Sequence, residues 1–167
     1  TFYDPLTNTF GALGHGINDQ DTRKLLTLRD GKIYHAQLTS ISKAKNGTPG
    51  ELNGTFIGEN NYRGKLMLNT SNGVFGKTEK ITKSKLYKVG KKSDVTTGKA
   101  TILCSLKTDV VNEYEIEIIN VVKNSPFNNE GLTIKITDPK LISITDGILQ
   151  GMSGSPILQN GKLVGAV

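Results

Sequence analysis

One short segment of this sequence carries a side chain suited to nucleophilic chemistry. It contains Ser153 between Gly151 and Gly154, and it leads through Pro156 into a strand-like run. A serine hydroxyl is a poor nucleophile until a base removes its proton, and attack on a carbonyl creates an oxyanion that needs prepared donors. Glycine at 151 permits a tight backbone that turns its own N–H and that of Ser153 toward one point, and Gly154 leaves room for a substrate. The pattern predicts a nucleophile in an oxyanion loop, although Gly-x-Ser-Gly alone also fits an ordinary turn before a hairpin.

A second segment supplies a candidate base. His15 lies between Gly14 and Gly16, so backbone can pack closely around an imidazole that stays accessible. The other histidine, His35, falls inside a strand pattern and is expected to be a surface residue or a satisfied core residue. We predict that His15 is the general base for Ser153, while a plain turn residue remains the alternative.

A third group should orient the imidazole and stabilise its protonated form. The residues alone do not choose among the carboxylates available, which are Asp19, Asp94, Asp109, Asp138 and Asp146. Asp138 precedes Pro139 at the end of an alternating run. This pair fits a fixed carboxylate of the site and an Asp-Pro turn starter equally well.

The elements that must position these residues are mostly strands. Apolar and polar residues alternate over 114–118 and 132–136, and less perfectly over 33–38. Four Asn-Gly pairs, beginning at 46, 53, 72 and 160, predict tight turns, and the last joins 156–159 to 162–165 as a hairpin. The stretch 19–28 is the one helix-like segment. An antiparallel all-β sandwich or barrel is expected, with a polar connector over 82–98 dividing a first barrel, 1–85, from a second, 86–167.

Composition narrows the classes of protein. The chain has 167 residues and a net charge of +6, but its basic residues are scattered and no recognition motif accompanies them, so a soluble basic surface is expected rather than nucleic-acid binding. Cys104 is the single cysteine, which excludes an internal disulfide and a multi-cysteine zinc site, and its apolar run predicts a core position. No apolar run approaches the ~20 residues that span a bilayer, and we expect no signal peptide within these residues. The chain starts without Met and stops inside a strand-like run, so we expect an excised domain.

The same segments resemble a known family, the SpoIVB-type sporulation peptidases, which are serine endopeptidases of endospore-forming bacteria. Residues 10–17 are similar to the histidine segment of the family, 136–139 to its aspartate segment, and 150–157 to its serine segment. The resemblance runs over nearly the whole chain. It implies a chymotrypsin-like fold of two six-stranded antiparallel β-barrels, with His15, Asp138 and Ser153 as catalytic residues in the cleft between them. This acyl-enzyme chemistry calls for no metal or cofactor.

The resemblance also implies a biological setting. Family members cut a regulator of an intramembrane protease, and also themselves, between the two membranes around the forespore. They are usually membrane-anchored through a segment that this sequence does not include, so no membrane contact is expected from the fragment itself. The rival class is a non-catalytic β-barrel module that pairs a peptide with an edge strand. A weaker rival is a basic barrel that contacts nucleic acid.

Overall fold

The computed structural model describes residues 1–58, 61–79, 81, 85–122 and 131–167. Strands dominate it, so the all-β prediction is confirmed. The strands are β1 (Phe2–Asp4), β2 (Thr9–Leu13), β3 (Gly31–Tyr34), β4 (Ala36–Ser42), β5 (Gly50–Phe56), β6 (Tyr62–Thr70), β7 (Gly73–Thr78), β8 (Lys88–Val89), β9 (Gly98–Lys107), β10 (Val110–Val121), β11 (Leu132–Ile136), β12 (Leu149–Gln150), β13 (Pro156–Gln159) and β14 (Lys162–Ala166). One α-helix, α1 (Pro139–Thr145), and one 3₁₀ turn (Lys92–Asp94) complete the described elements.

The strands form three sheets. A five-stranded sheet has the order β1-β2-β7-β6-β3, a six-stranded sheet has β11-β10-β9-β13-β14-β8, and a three-stranded sheet has β12-β5-β4. Most pairs are antiparallel, and β12 with β5 and β14 with β8 are parallel. This arrangement is consistent with a chymotrypsin-like fold. The division at residue 85 stays a prediction, and β12 is the strand from the second part that pairs with the first.

The five-stranded sheet positions the histidine segment. Strand β2 runs antiparallel to β7 with Leu13 opposite Gly73, and Gly14 follows directly. Gly73 has a φ of 136°, and a Cβ atom there would collide with the carbonyl oxygen of Ala12. The turn before β7 therefore requires glycine, as the Asn-Gly pair at 72–73 predicts. The carbonyl of Asn72 accepts the N–H of Gly14 at 3.1 Å, which fixes the exit from β2.

The six-stranded sheet holds the main core. Tyr114, Ile116 and Ile118 on β10 are buried, while Glu115 and Glu117 are exposed, so the predicted alternation is confirmed. The core also includes Ile102 and Cys104 on β9, Ile157 on β13, and Leu141, Leu149 and Met152 beside the serine segment. Because Met152 of the serine segment belongs to this core, the second part of the chain positions Ser153.

The predicted last hairpin is confirmed as β13 and β14. Its turn residues have the positive φ values that such turns need, 52° at Asn160 and 73° at Gly161. By contrast, the Asn-Gly pair at 53–54 makes no turn and lies inside β5. There it faces an irregularity in β4 between Leu38 and Ser40, so a bulge replaces the expected turn.

The predicted helix over 19–28 is wrong. The carboxylate of Asp19 accepts the N–H of Thr22, as at the start of a helix. Arg23 then takes a φ of 58°, which ends any helical path. The chain turns back, so that the N–H of Asp19 bonds the carbonyl of Lys24 and Asn18 bridges Leu25. Among the described residues, no helix is long and apolar enough to cross a membrane.

Candidate active site

The serine segment is a tight loop between β12 and β13. The N–H of Met152 donates to the carbonyl of Leu149 at 3.1 Å, and the N–H of Ser155 donates to the carbonyl of Met152 at 3.0 Å. The side chain of Met152 is buried and its sulfur accepts the N–H of Leu149. Ser153, the next residue, is exposed. A buried residue next to an exposed hydroxyl gives the candidate nucleophile a fixed place at the surface.

Both glycines of the serine pattern are required by backbone shape. Gly151 has a φ of 100° and Gly154 a φ of 87°, values that side chains disfavour. A Cβ atom on Gly151 would also lie 3.1 Å from the Cβ of Leu52 on β5. The loop therefore depends on glycine for its conformation as well as for access.

Ser153 keeps a free backbone donor. The neighbouring N–H groups of Met152, Gly154 and Ser155 all donate within the fold, and that of Gly154 reaches the carbonyl of Val167 at 2.9 Å. Within the described ranges, the N–H of Ser153 has no protein acceptor. An unpaired donor beside the hydroxyl is what an oxyanion hole needs. That the N–H groups of Gly151 and Ser153 form such a hole stays a prediction.

The histidine and serine segments meet. Gly14, with a φ of 125°, packs against the serine loop, and a Cβ atom placed on it would lie 3.8 Å from the Cβ of Ser153 and 3.7 Å from the nitrogen of Gly154. His15 follows directly and is exposed. Two segments far apart in sequence therefore share one place at the surface.

The imidazole of His15 is held by its own segment. Its Nδ1 lies 3.0 Å from the carbonyl oxygen of Gly16. Since a carbonyl only accepts, this hydrogen bond requires the proton on Nδ1 and leaves Nε2 with a free lone pair. Gly16 is itself fixed, because a Cβ atom there would collide with Leu25 and Thr70. Across the described part of the chain, no hydrogen bond joins His15 to Ser153.

Asp138 lies elsewhere, at the start of α1. Its Oδ1 accepts the N–H groups of Lys140 at 2.8 Å and Leu141 at 3.0 Å, and its Oδ2 lies 3.3 Å from the N–H of Glu115. The N–H of Leu141 is the main cause that lowers the pKa of Asp138, with the N–H groups of Glu115 and Lys140 adding to it and burial opposing it. Asp138 is thus a helix N-cap followed by Pro139. No hydrogen bond or ion pair between described residues joins it to His15.

A cleft of about 990 Å³ opens beside the serine loop. Its walls are mainly apolar and include Leu38, Leu52, Phe56, Leu103, Cys104 and Met152, with Ser153 at one side. His35 and Asp109 also line it, and His35 Nε2 lies 3.4 Å from Asp109 Oδ1. This pair joins the start of β4 to the turn between β9 and β10, where the hydroxyl of Thr108 accepts the N–H of Leu38.

The sequence alone did not predict that His35 lines this cleft. The strand pattern around it assigns no partner, and Asp109 was one of five carboxylates that the sequence did not separate. The contact depends on a turn that is distant along the chain. Asp109 has a positive φ of 61°. Such a value is typical of an aspartate in a β-turn and does not by itself indicate a functional site.

An all-β fold in which a glycine-bounded serine meets a histidine segment beside a peptide-sized cleft is typical of serine peptidases. The whole chain, residues 1–167, matches the family described as SpoIVB peptidase S55. The chain therefore belongs to this peptidase family, whose name links it to sporulation. Comparison with curated proteins and with solved structures gave no match in either case.

Proposed function

We propose that this chain is the catalytic domain of a serine endopeptidase, with Ser153 as nucleophile and His15 as general base. The observation that carries the proposal is the packing of Gly14 against the serine loop. A Cβ atom placed on Gly14 would lie 3.8 Å from the Cβ of Ser153. Membership of the peptidase family supports the same chemistry.

The proposed proton path uses the free nitrogen of His15. Because Nδ1–H is held by the carbonyl of Gly16, Nε2 is the atom that takes the proton from the hydroxyl of Ser153. The oxygen of Ser153 then forms a bond to the scissile carbonyl, and the negative charge moves to the carbonyl oxygen. The N–H groups of Gly151 and Ser153 stabilise this oxyanion. Protonated His15 returns the proton to the leaving amine, and water clears the acyl-enzyme by the reverse sequence.

The hydrogen bond from Ser153 to His15 is expected to form when substrate binds. Such contacts are often long in a free enzyme and tighten in the complex. The apolar cleft favours a peptide that places a large apolar side chain next to the scissile bond.

The family supports a more specific role. We propose that the substrate is a regulator of an intramembrane protease in sporulation, that the protein also cuts itself, and that it acts between the two membranes around the forespore while anchored through a segment outside these residues. Asp138 is the residue that the family resemblance assigns as the third catalytic member.

The test is the variant Ser153→Ala, treated with a fluorophosphonate probe and assayed for cleavage of a peptide from the regulator. We expect the wild-type protein to be labelled at Ser153 and the variant to be unlabelled, with kcat lowered by about 10⁶-fold as when a serine nucleophile is removed. Circular dichroism and thermal unfolding check that the variant stays folded. Equal labelling or equal cleavage of both proteins would exclude Ser153, and tight peptide binding without labelling would favour the binding-module alternative.

A further inference from the structure

Both oxygens of the Asp138 carboxylate already accept backbone N–H groups. Oδ1 accepts two backbone N–H groups of the first turn of α1, from Lys140 and Leu141. Oδ2 faces the N–H of Glu115, and the N–H of Asp138 donates to the carbonyl of Glu115 at 3.0 Å. The residue therefore caps the helix and ties its start to β10.

The other end of α1 is tied to a different sheet. The carbonyl of Thr145 accepts the N–H of Ala44, just beyond β4, at 2.8 Å. The buried hydroxyl of Thr145 donates to the carbonyl of Leu141 one turn earlier. Thus α1 is clamped between the six-stranded sheet at Asp138 and the three-stranded sheet at Thr145.

The serine loop and this helix contribute to the same buried cluster. After α1 the chain reverses through Asp146, with a φ of 53°, and enters β12. Leu141 on the helix, Leu149 on β12 and Met152 in the loop belong to the same buried cluster. Met152 immediately precedes Ser153, so α1 and the residue next to the proposed nucleophile share one core.

The imidazole of His15 has its own support. A triad carboxylate would accept the Nδ1 proton and fix the tautomer, but here the carbonyl of Gly16 occupies that position at 3.0 Å. Because Gly16 is packed against Leu25 and Thr70, this carbonyl is held in place by the fold.

We infer that Asp138 is a positioning residue that acts on Ser153 through the capped helix α1, and that the carbonyl of Gly16 orients His15. The inference rests on the proposed peptidase function. It differs from a triad role in a measurable way. A cap needs a side-chain acceptor at residue 138, and serine or asparagine supplies one about as well as aspartate. A triad member needs a negative charge, which neither residue carries.

The experiment compares Asp138→Ser, Asp138→Asn and Asp138→Ala with the wild-type protein. Cleavage of the same peptide, its pH–rate profile and the thermal midpoint are measured for each. We expect Ser to keep kcat/KM within about tenfold of wild type, since it remains a good cap. Asn should lose somewhat more, because its amide nitrogen faces the N–H of Glu115 in place of Oδ2. Asp138→Ala should show the largest loss, in both thermal midpoint and kcat/KM. The acid limb of the pH–rate profile should not move in Asp138→Ser or Asp138→Asn.

A different pattern of losses would overturn the inference. If Ser and Asn leave the thermal midpoint near that of wild type while kcat falls by about 10⁴-fold, as when a triad aspartate becomes asparagine, the inference is overturned and Asp138 acts on His15 as a charge. Should Ala fail to fold, Ser and Asn still decide between the two roles. Failure of the proposed function gives a different result, because the wild-type protein and Ser153→Ala would then show equal labelling and equal cleavage. In that case the inference about Asp138 fails as well.

Discussion

The hydroxyl of Thr1 joins the two segments of the candidate site. It accepts the N–H of Leu13 at 2.9 Å and donates to the carbonyl of Gly154 at 2.8 Å. Leu13 is the last residue of β2 and lies two residues before His15, and Gly154 follows Ser153. One small side chain thus ties the backbone shortly before His15 to the backbone directly after Ser153.

Replacing Thr1 by Val should separate the segments. Val has nearly the same shape but offers neither hydrogen bond, so the N–H of Leu13 and the carbonyl of Gly154 lose a partner in a partly buried place. We expect a loss of about 1–2 kcal/mol in the free energy of unfolding and a fall in kcat larger than the change in KM. Thr1→Ser keeps the hydroxyl and is the matched control. If Val and Ser behave alike in denaturant titration and in kcat, the contact has no role in positioning.

Local features of the fold were predictable from the sequence. The alternation on β10 depends on which face is buried, and the turn between β13 and β14 depends on the positive φ that Asn160 and Gly161 tolerate. The serine loop was predictable for the same reason, because Gly151 and Gly154 permit backbone shapes that other residues resist. Each of these features is set by a few neighbours along the chain.

Features set by distant contacts were not predictable in the same way. Helix α1 has seven residues, which are too few for a clear periodic pattern. The Asp-Pro pair at its start is the one local signal in the sequence, and by itself it indicates a turn or a site carboxylate. The Asn-Gly pair at 53–54 looks like the other three, but pairing with β4 keeps it inside a strand. Likewise, the position of His35 in the cleft depends on the turn at Asp109 packing against β4.

The two histidines can be separated by a pair of substitutions. Removal of His15 takes away the base, so we expect His15→Ala to lower kcat by several orders of magnitude, about 10⁶-fold when the histidine of a serine peptidase is removed. His35→Ala should cause a much smaller loss, seen mainly in KM, because His35 lines the cleft. Asp109→Asn is the matched control for the His35 pair. Peptide cleavage that survives in His15→Ala but is lost in both His35→Ala and Asp109→Asn would make the second pair the catalytic one.

Substitution of Gly151 should damage the proposed oxyanion hole. Alanine at a φ of 100° is strained, and its Cβ would press on Leu52 at 3.1 Å, so the loop must shift. We expect Gly151→Ala to lower kcat by about 10²–10³, the effect of losing one oxyanion donor. Gly161→Ala is the control, since Gly161 has a φ of 73° with open space around it. That variant should lose about 1 kcal/mol of stability through backbone strain and keep its activity; a parallel loss in both would point to general destabilisation.

Cys104 should not contribute to catalysis, although it lines the same cleft. Burial raises the pKa of its thiol to about 11, so the thiolate that reacts with alkylating agents is scarce near neutral pH. We expect iodoacetamide at pH 7 to leave peptide cleavage unchanged and mass spectrometry to find Cys104 unmodified. Modification should become faster as the pH rises toward 11. Rapid alkylation at pH 7 that abolishes cleavage would contradict this expectation and place a reactive thiol at the site.

The acid dependence of stability should show how Asp138 works. Its carboxyl pKa is held below the usual ~3.9 of an unfolded chain, so the folded state favours the ionised form. This contribution is fully present above that unfolded value and is lost as the pH falls through the lower folded value. The thermal midpoint of wild type minus that of Asp138→Asn should therefore be constant from pH 7 to about 5 and shrink in more acidic buffer. A difference that stays the same down to pH 2 would show that the charge of Asp138 adds nothing to its cap, and that its oxygen atoms alone hold α1.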